Sequence, residues 1–329
     1  MHRMGKVSAA SVSSNLRSSF PRIRLGLLVG ICGGVPFTDS DEREILLGDV
    51  IISTKIVQTD FGRLYPDKFI RKDTLQDNLG RLSSELEGFM SSLQGKRAQT
   101  QLRDRIQTNL AELFDSHDFE LSKYPGTHED KLFEAAYRHK HQDAKACTIC
   151  SVCMNPEDSV CVEALELPCD QLGCDSAKLI PRLRIQKMVD GSSNIFCSTP
   201  TVHFGGLASG DQVIKSAHHR DRIARQENVI AFEMEGAGLW GTIPTIVVKG
   251  VCDYADSHKN DRWQLYAAAT AAACAKGILK TWRLTTKQTH EGSDNKETAP
   301  WPTHQVFSGT FIGKNFLNGG TYTADSINF

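Results

Sequence analysis

Phe232-Glu233-Met234-Glu235-Gly236-Ala237, followed by Val247-Val248-Lys249-Gly250-Val251-Cys252-Asp253-Tyr254-Ala255-Asp256, is the stretch whose reading decides the fold. Val229–Phe232 and Ile246–Val251 are apolar and rich in β-branched residues, the pattern of neighbouring buried strands in an α/β sheet. Each run ends in a carboxylate where strand hands over to loop or helix. Ligands of open α/β folds bind at the carboxyl ends of strands. Two acids there imply a division of labour: one ionised acceptor for vicinal hydroxyls, one acid that exchanges a proton with the substrate.

Working outward, Arg22–Val29 reads as a buried strand and Gly30–Pro36 as a glycine-rich loop after it. Leu47–Ser53 reads as a second strand, and Thr74–Phe114 is polar and helical in period. Residues from about 116 to 200 bear cysteines and turn formers and read as an insertion. Regular structure resumes with strand Thr201–Leu207, helix Asp211–Gln226, strand Val229–Met234, strand Thr245–Val251 and a helix from Trp263 to about Trp282. The segment 1–19 has no defined pattern. Residues 285–303 are polar with two prolines, a linker, and 304–329 mix aromatic residues with Gly, Asn, Ser and Thr. That low-charge tail has the composition of segments that pair as strands between chains, and equally of a hairpin or disordered end.

The 329 residues carry a net charge of −1 and 40% apolar content, an ordinary soluble balance with no basic surplus for nucleic acid. No apolar run is long enough for a membrane span. Ten cysteines in such a chain read as reduced thiols or metal ligands in the cytoplasm, not as a disulfide framework. Cys147, Cys150, Cys169 and Cys174 have spacing compatible with a structural zinc; free thiols are the equal alternative.

The segments RLGLLVGICGGVP, LASGDQVIK, FEMEGAGLW and VVKGVCDYADSHK, in that order, resemble the motifs of the nucleoside phosphorylase/nucleosidase superfamily, in the version attached to fungal NLR-type receptors. The resemblance covers about 20–284 and implies a three-layer α/β/α sandwich around a mixed sheet. It implies cleavage of the N-glycosidic bond of a purine nucleoside or nucleotide, by phosphorolysis or hydrolysis, in nucleoside metabolism or immune-type signalling. Asp253 takes the position of the general acid, and burial at a strand end suits a proton donor to purine N7. Glu235 and Met234 take the ribose positions; on residue type alone Met234 reads as ordinary core. Ser209, Gly210, Val213 and Ile214 match the base-binding segment, with Asp211 the expected cap of the next helix. Gly30, Gly33 and Gly34 match the anion or ribose loop.

The resemblance further implies a homo-oligomer and no cofactor for catalysis, with phosphate as the alternative co-substrate to water. Ile31 and Cys32 offer no charge where phosphorolytic relatives place an arginine. The family also has a strand, loop and helix ahead of the segment matched here, which the residues before Phe20 are too few to supply. An unpaired sheet edge and a catalytically impaired binding or self-assembling module are the corresponding expectations.

Overall fold

The computed structural model describes residues 4–38, 43–74, 76–155, 157–190 and 199–291, with side chains to 282. The tail at 304–329 and most of the expected linker lie outside the described residues.

Seven strands form: β1 (Gly26–Gly34), β2 (Val50–Gln58), β3 (Gly62–Leu64), β4 (Phe69–Arg71), β5 (Val202–Ser209), β6 (Ala231–Glu233) and β7 (Thr245–Asp253). Nine α-helices accompany them: α1 (Lys6–Ser19), α2 (Ser84–Leu93), α3 (Lys96–Phe114), α4 (Thr148–Ser151), α5 (Cys169–Leu172), α6 (Leu183–Val189), α7 (Ala217–Glu227), α8 (Gly236–Leu239) and α9 (Gln264–Glu291). β3 and β4 make a separate hairpin, while the other five strands form one mixed sheet in the order β1-β6-β5-β2-β7. β7 then pairs back in parallel with β1, so the sheet closes. Both edges of β1 are therefore occupied, by β6 and β7, and the open edge expected from the sequence does not arise. β6 and β7 are not direct neighbours either, because β1 runs between them.

Every residue of β7 is buried, as the near-continuous apolar run requires for a strand covered on both faces. Alternation sends Val50, Ile52, Ile246 and Val248 into a cluster with α2, α3 and α9, while Ile51, Val247 and Val251 join a second cluster with Ala9, Leu239 and Trp240. Apolar layers thus lie on both faces of a mixed sheet, the expected three-layer class. At Gly250 the wall meets α9 so closely that an added Cβ would stand 1.9 Å from the Ala267 carbonyl oxygen.

Boundaries moved in four places. The glycine-rich segment is not a loop: Gly30, Gly33 and Gly34 are strand, none with positive φ. Segment 6–19 is a helix, with Gly238 of α8 beneath it; a Cβ there would lie 2.1 Å from the Lys6 carbonyl oxygen. The helix expected from Asp211 starts at Ala217, capped by Ser216 Oγ, which accepts from His219 N at 3.3 Å. α9 runs to Glu291, so the first residues of the expected linker are helical. The described residues between α3 and β5, read as a turn-rich insertion, form a run of short helices and turns. It has a small apolar centre of its own at Cys150, Ala164 and Leu172.

Candidate functional site

Asp253 closes β7, opposite Gly33 of β1. It is 6% exposed, and a Cβ on Gly33 would stand 2.8 Å from its Oδ1, so only glycine leaves room for this carboxylate. Oδ1 accepts from Ala255 N at 2.8 Å and Oδ2 pairs with Lys259 Nζ at 2.9 Å. Burial works against the charge on Lys259, but the Asp253 carboxylate more than offsets it and holds the ammonium above its ordinary pKa. The residue read as a proton donor thus stands beside Lys259 and also caps its own turn. Three residues on, Asp256 Oδ1 accepts from His258 N at 2.9 Å, the capping role expected of it. Burial pushes Asp256 up to about 6 against the pull of Arg220.

Glu235 follows β6 and heads α8. Its Oε2 accepts from Lys249 Nζ at 2.9 Å and its Oε1 from Gly5 N at 3.4 Å. Burial opposes its charge, yet the Lys249 ammonium and these hydrogen bonds prevail, so the carboxyl lies below its ordinary pKa. Glu233 is the structural partner: its carboxylate accepts from Glu235 N and Gly236 N at 3.0 Å and stands 3.3 Å from Lys249. Lys249, 3% exposed at its side chain, holds both acids. Met234 is half-buried and is in none of the apolar clusters of the described residues.

Ser209 ends β5 with its Oγ accepting from Ala237 N at 2.9 Å, and Gly210 N donates to Glu233 O at 3.2 Å. The base-segment backbone is thereby tied to the strand that carries Glu235. Ile214 joins the apolar cluster of Val35, Phe232 and Ala255, whereas Val213 is 52% exposed. Asp211 accepts from Lys6 N at 3.0 Å, and Lys6 Nζ bonds both oxygens of Asp60 at 2.6 Å. The start of α1 is thus anchored on the rim of the site, against Glu235, Asp211 and Asp60. Gly30 lies against Lys249, 3.4 Å from Cβ to Nζ, and Gly34 against Val251, so these glycines admit neighbouring side chains and do not form an amide nest.

Other readings resolve elsewhere. His203 does not line this site; its Nε2 meets Asp49 Oδ2 at 2.9 Å. Asp49 also binds Arg184, Leu46 N and Thr201 N, and despite burial the Arg184 charge and these bonds hold its carboxyl well below the ordinary range. A cleft of about 310 Å³ beside it is lined by Leu46, Asp130, Arg184 and Tyr266, none of them an expected site residue. Arg220 is buried and donates to the Tyr254 carbonyl at 2.9 Å. The four cysteines read as one zinc set divide into two: Cys147 and Cys150 stand with Cys161, while Cys169 and Cys174 stand with His139. All nine described cysteines are unpaired as disulfides. No described helix is long and apolar enough to cross a membrane.

Lys249 and Lys259 escaped the sequence reading. Lys249 had a signal: a lone charge inside a strand of apolar residues needs a buried partner. For Lys259 the spacing from Asp253 gave none.

No family model matches the chain. An NLR-like protein of the fungus Hyaloscypha variabilis is 32% identical over 277 residues, 84% of this chain and 24% of that protein. The chain therefore spans about a quarter of this relative's length. Among solved structures, a putative 5′-methylthioadenosine/S-adenosylhomocysteine nucleosidase of Francisella philomiragia gives a TM-score of 0.42 at 16% identity, covering 85% of this chain and 78% of its own. Futalosine hydrolase of Helicobacter pylori gives 0.41 at 14%, covering 85% and 77%. The Neisseria meningitidis nucleosidase in complex with methylthio-immucillin-A gives 0.41 at 16%, covering 84% and 78%. By sequence, the chain is a relative of one segment of a fungal NLR-like protein.

Proposed function

We propose that this chain cleaves the N-glycosidic bond of a purine nucleoside or nucleotide. The observation that carries the reading is the pair of carboxylates, each with a lysine of its own, on either side of β1. Glu235 is kept ionised by Lys249, as an acceptor for the 2′- and 3′-hydroxyls must be. Asp253 is fixed against Gly33 with an ammonium 2.9 Å away. In the glycosidic transition state the ribose becomes cationic and negative charge gathers on the leaving base. As the proton affinity of N7 rises, the Asp253 carboxyl at the end of β7 delivers a proton to it, as general acid. Ile214 supplies apolar surface toward the base and Met234 toward the sugar. In this reading side chains carry the catalysis, with water or phosphate as nucleophile.

A second reading is a nucleotide-sensing module with little turnover. It is favoured by the contact of Gly5 N with Glu235 and of Lys6 N with Asp211, which places the start of α1 where it narrows access to the ribose carboxylate. Chromatography of free base released from adenosine, inosine, methylthioadenosine and ATP, each with and without phosphate, separates the two. Release supports cleavage, and its phosphate dependence identifies the nucleophile. Saturable nucleotide binding by folded protein with no base released supports the sensing module.

A further inference from the structure

We infer that the insertion holds two zinc ions, one of which fastens it to the loop that carries Lys259. The first set is His139, Cys169, Cys174 and His258. His139 is buried, and its Nε2 is engaged by the Leu167 carbonyl at 2.8 Å, which leaves Nδ1 as the free ring nitrogen. A backbone carbonyl on the far nitrogen is the usual orienting partner of a metal-bound imidazole. Nδ1 faces Cys169 Sγ at 3.6 Å and Cys174 Sγ at 3.7 Å. Tetrahedral zinc, with Zn–S about 2.3 Å and Zn–N about 2.0–2.1 Å, sets sulfur and nitrogen ligands about 3.6 Å apart. The donor atoms of His139, Cys174 and His258 all lie within 4.8 Å of one another. His258 is 6% exposed, and its Nε2 is a buried nitrogen with no hydrogen-bond partner. A buried orphan nitrogen is costly unless something occupies it. A donor set of two thiolates and two imidazoles selects zinc over harder cations.

The second set stands on its own observations. Cys147, Cys150 and Cys161 have their sulfurs within 4.8 Å of one another, and Cys150 Sγ to Cys161 Sγ is 3.8 Å. About 3.8 Å is the separation of two sulfurs on one tetrahedral zinc. His141 lies within the same reach of Cys161, and its Nε2 too is buried without a hydrogen-bond partner. Cys153, next in the spaced series, instead faces the Asp158 carbonyl at 3.9 Å and is not a ligand.

The first site has a positional consequence. His258 belongs to the core loop Asp253–Lys259, whereas His139, Cys169 and Cys174 belong to the insertion. The His258 ring also stacks on Phe133, with centroids 4.1 Å apart, and meets His139 edge-on at 5.1 Å. The ion would therefore clamp the insertion onto the loop whose lysine pairs with Asp253. This holds whether or not the chain cleaves nucleosides.

Metal analysis of the purified full chain by mass spectrometry should find two equivalents of zinc. Cys169→Ser and His258→Gln should each remove one, and Cys150→Ser the other. Because such variants can misfold, the wild-type chain reconstituted with Co²⁺ gives an independent reading: intense thiolate-to-cobalt absorption and a tetrahedral d–d band. Removing metal with a chelator should raise amide exchange at 254–260. A single equivalent lost on Cys169→Ser would keep the clamp and overturn the Cys147 set. No stoichiometric metal, with the thiols freely titratable or oxidised in pairs, would overturn both.

Discussion

Replacing Lys249 by Met keeps the side-chain volume and removes the one cation that two buried acids share. Lys249 Nζ stands 2.9 Å from Glu235 and 3.3 Å from Glu233, with the three side chains 3%, 15% and 0% exposed. Breaking a buried ion pair by deleting one partner costs about 3–5 kcal/mol, a large share of the roughly 5–15 kcal/mol that holds a domain together. The pH dependence sharpens the test. In the native chain Glu235 is held below its ordinary pKa, so its contribution is present above the unfolded value and lost as pH falls through the folded one. Lys249 is held above its ordinary pKa by Glu233 and Glu235 despite burial, so its contribution is present below the unfolded value and lost as pH rises through the folded one. From about pH 5 to about pH 9 this pair therefore leaves stability flat. In Lys249→Met the cation is gone, and burial, opposed by the Gly5 N hydrogen bond, moves the Glu235 pKa upward from its place in the native chain. The stability that Glu235 contributes above its unfolded pKa should then shrink, so the loss should be larger at neutral than at acid pH. Urea unfolding of both proteins at a series of pH values measures this. A loss under about 1 kcal/mol, with the same pH profile as the wild type, would refute the assignment of Lys249 as the buried counter-ion.

Two further substitutions test how the site is walled. Gly33→Ala places a Cβ 2.8 Å from Asp253 Oδ1 and 3.0 Å from Ala255 Cβ; it should cost about 1–3 kcal/mol and depress base release, while Gly30→Ala, with 3.4 Å to the flexible Lys249 tip, should be milder. Equal effects at the two positions would argue against a glycine requirement at Asp253. Gly238→Ala drives a Cβ to 2.1 Å from the Lys6 carbonyl oxygen and 3.1 Å from Ala10 N, so it should release α1 from α8. Hydrogen exchange over 6–19 should rise to that of a frayed helix, and unchanged protection would show that α1 is not seated there.

The sheet was legible because its strands are long apolar runs between clear breakers. β7 was placed to within two residues, and β2 and β5 were shifted only at their ends. The order of strands was not legible, since pattern alone cannot say that β1 separates β6 from β7. Gly30, Gly33 and Gly34 misled for a physical reason: glycine signals a turn in one dimension, but here it makes room for Lys249, Asp253 and Val251 from the adjoining strand. Asp211 misled similarly, being a good cap by residue type that instead receives the Lys6 amide from 205 residues away. Of the four cysteines read as one set, Cys147 and Cys150 do stand side by side. Dividing the cysteines into two sets needed His139 and His258, whose partnership spans 119 positions of sequence and only the fold reveals.

The most direct test of the proposed chemistry is the rate of base release by the wild-type chain and by Asp253→Asn on the same purine substrate. Asparagine preserves the shape and the Ala255 bond but cannot deliver a proton. The account predicts measurable release by the wild type and a fall of about 10²–10⁴-fold in the variant, with its fold and substrate binding intact. Equal rates in the two proteins would contradict a general-acid role for Asp253 and with it the central reading.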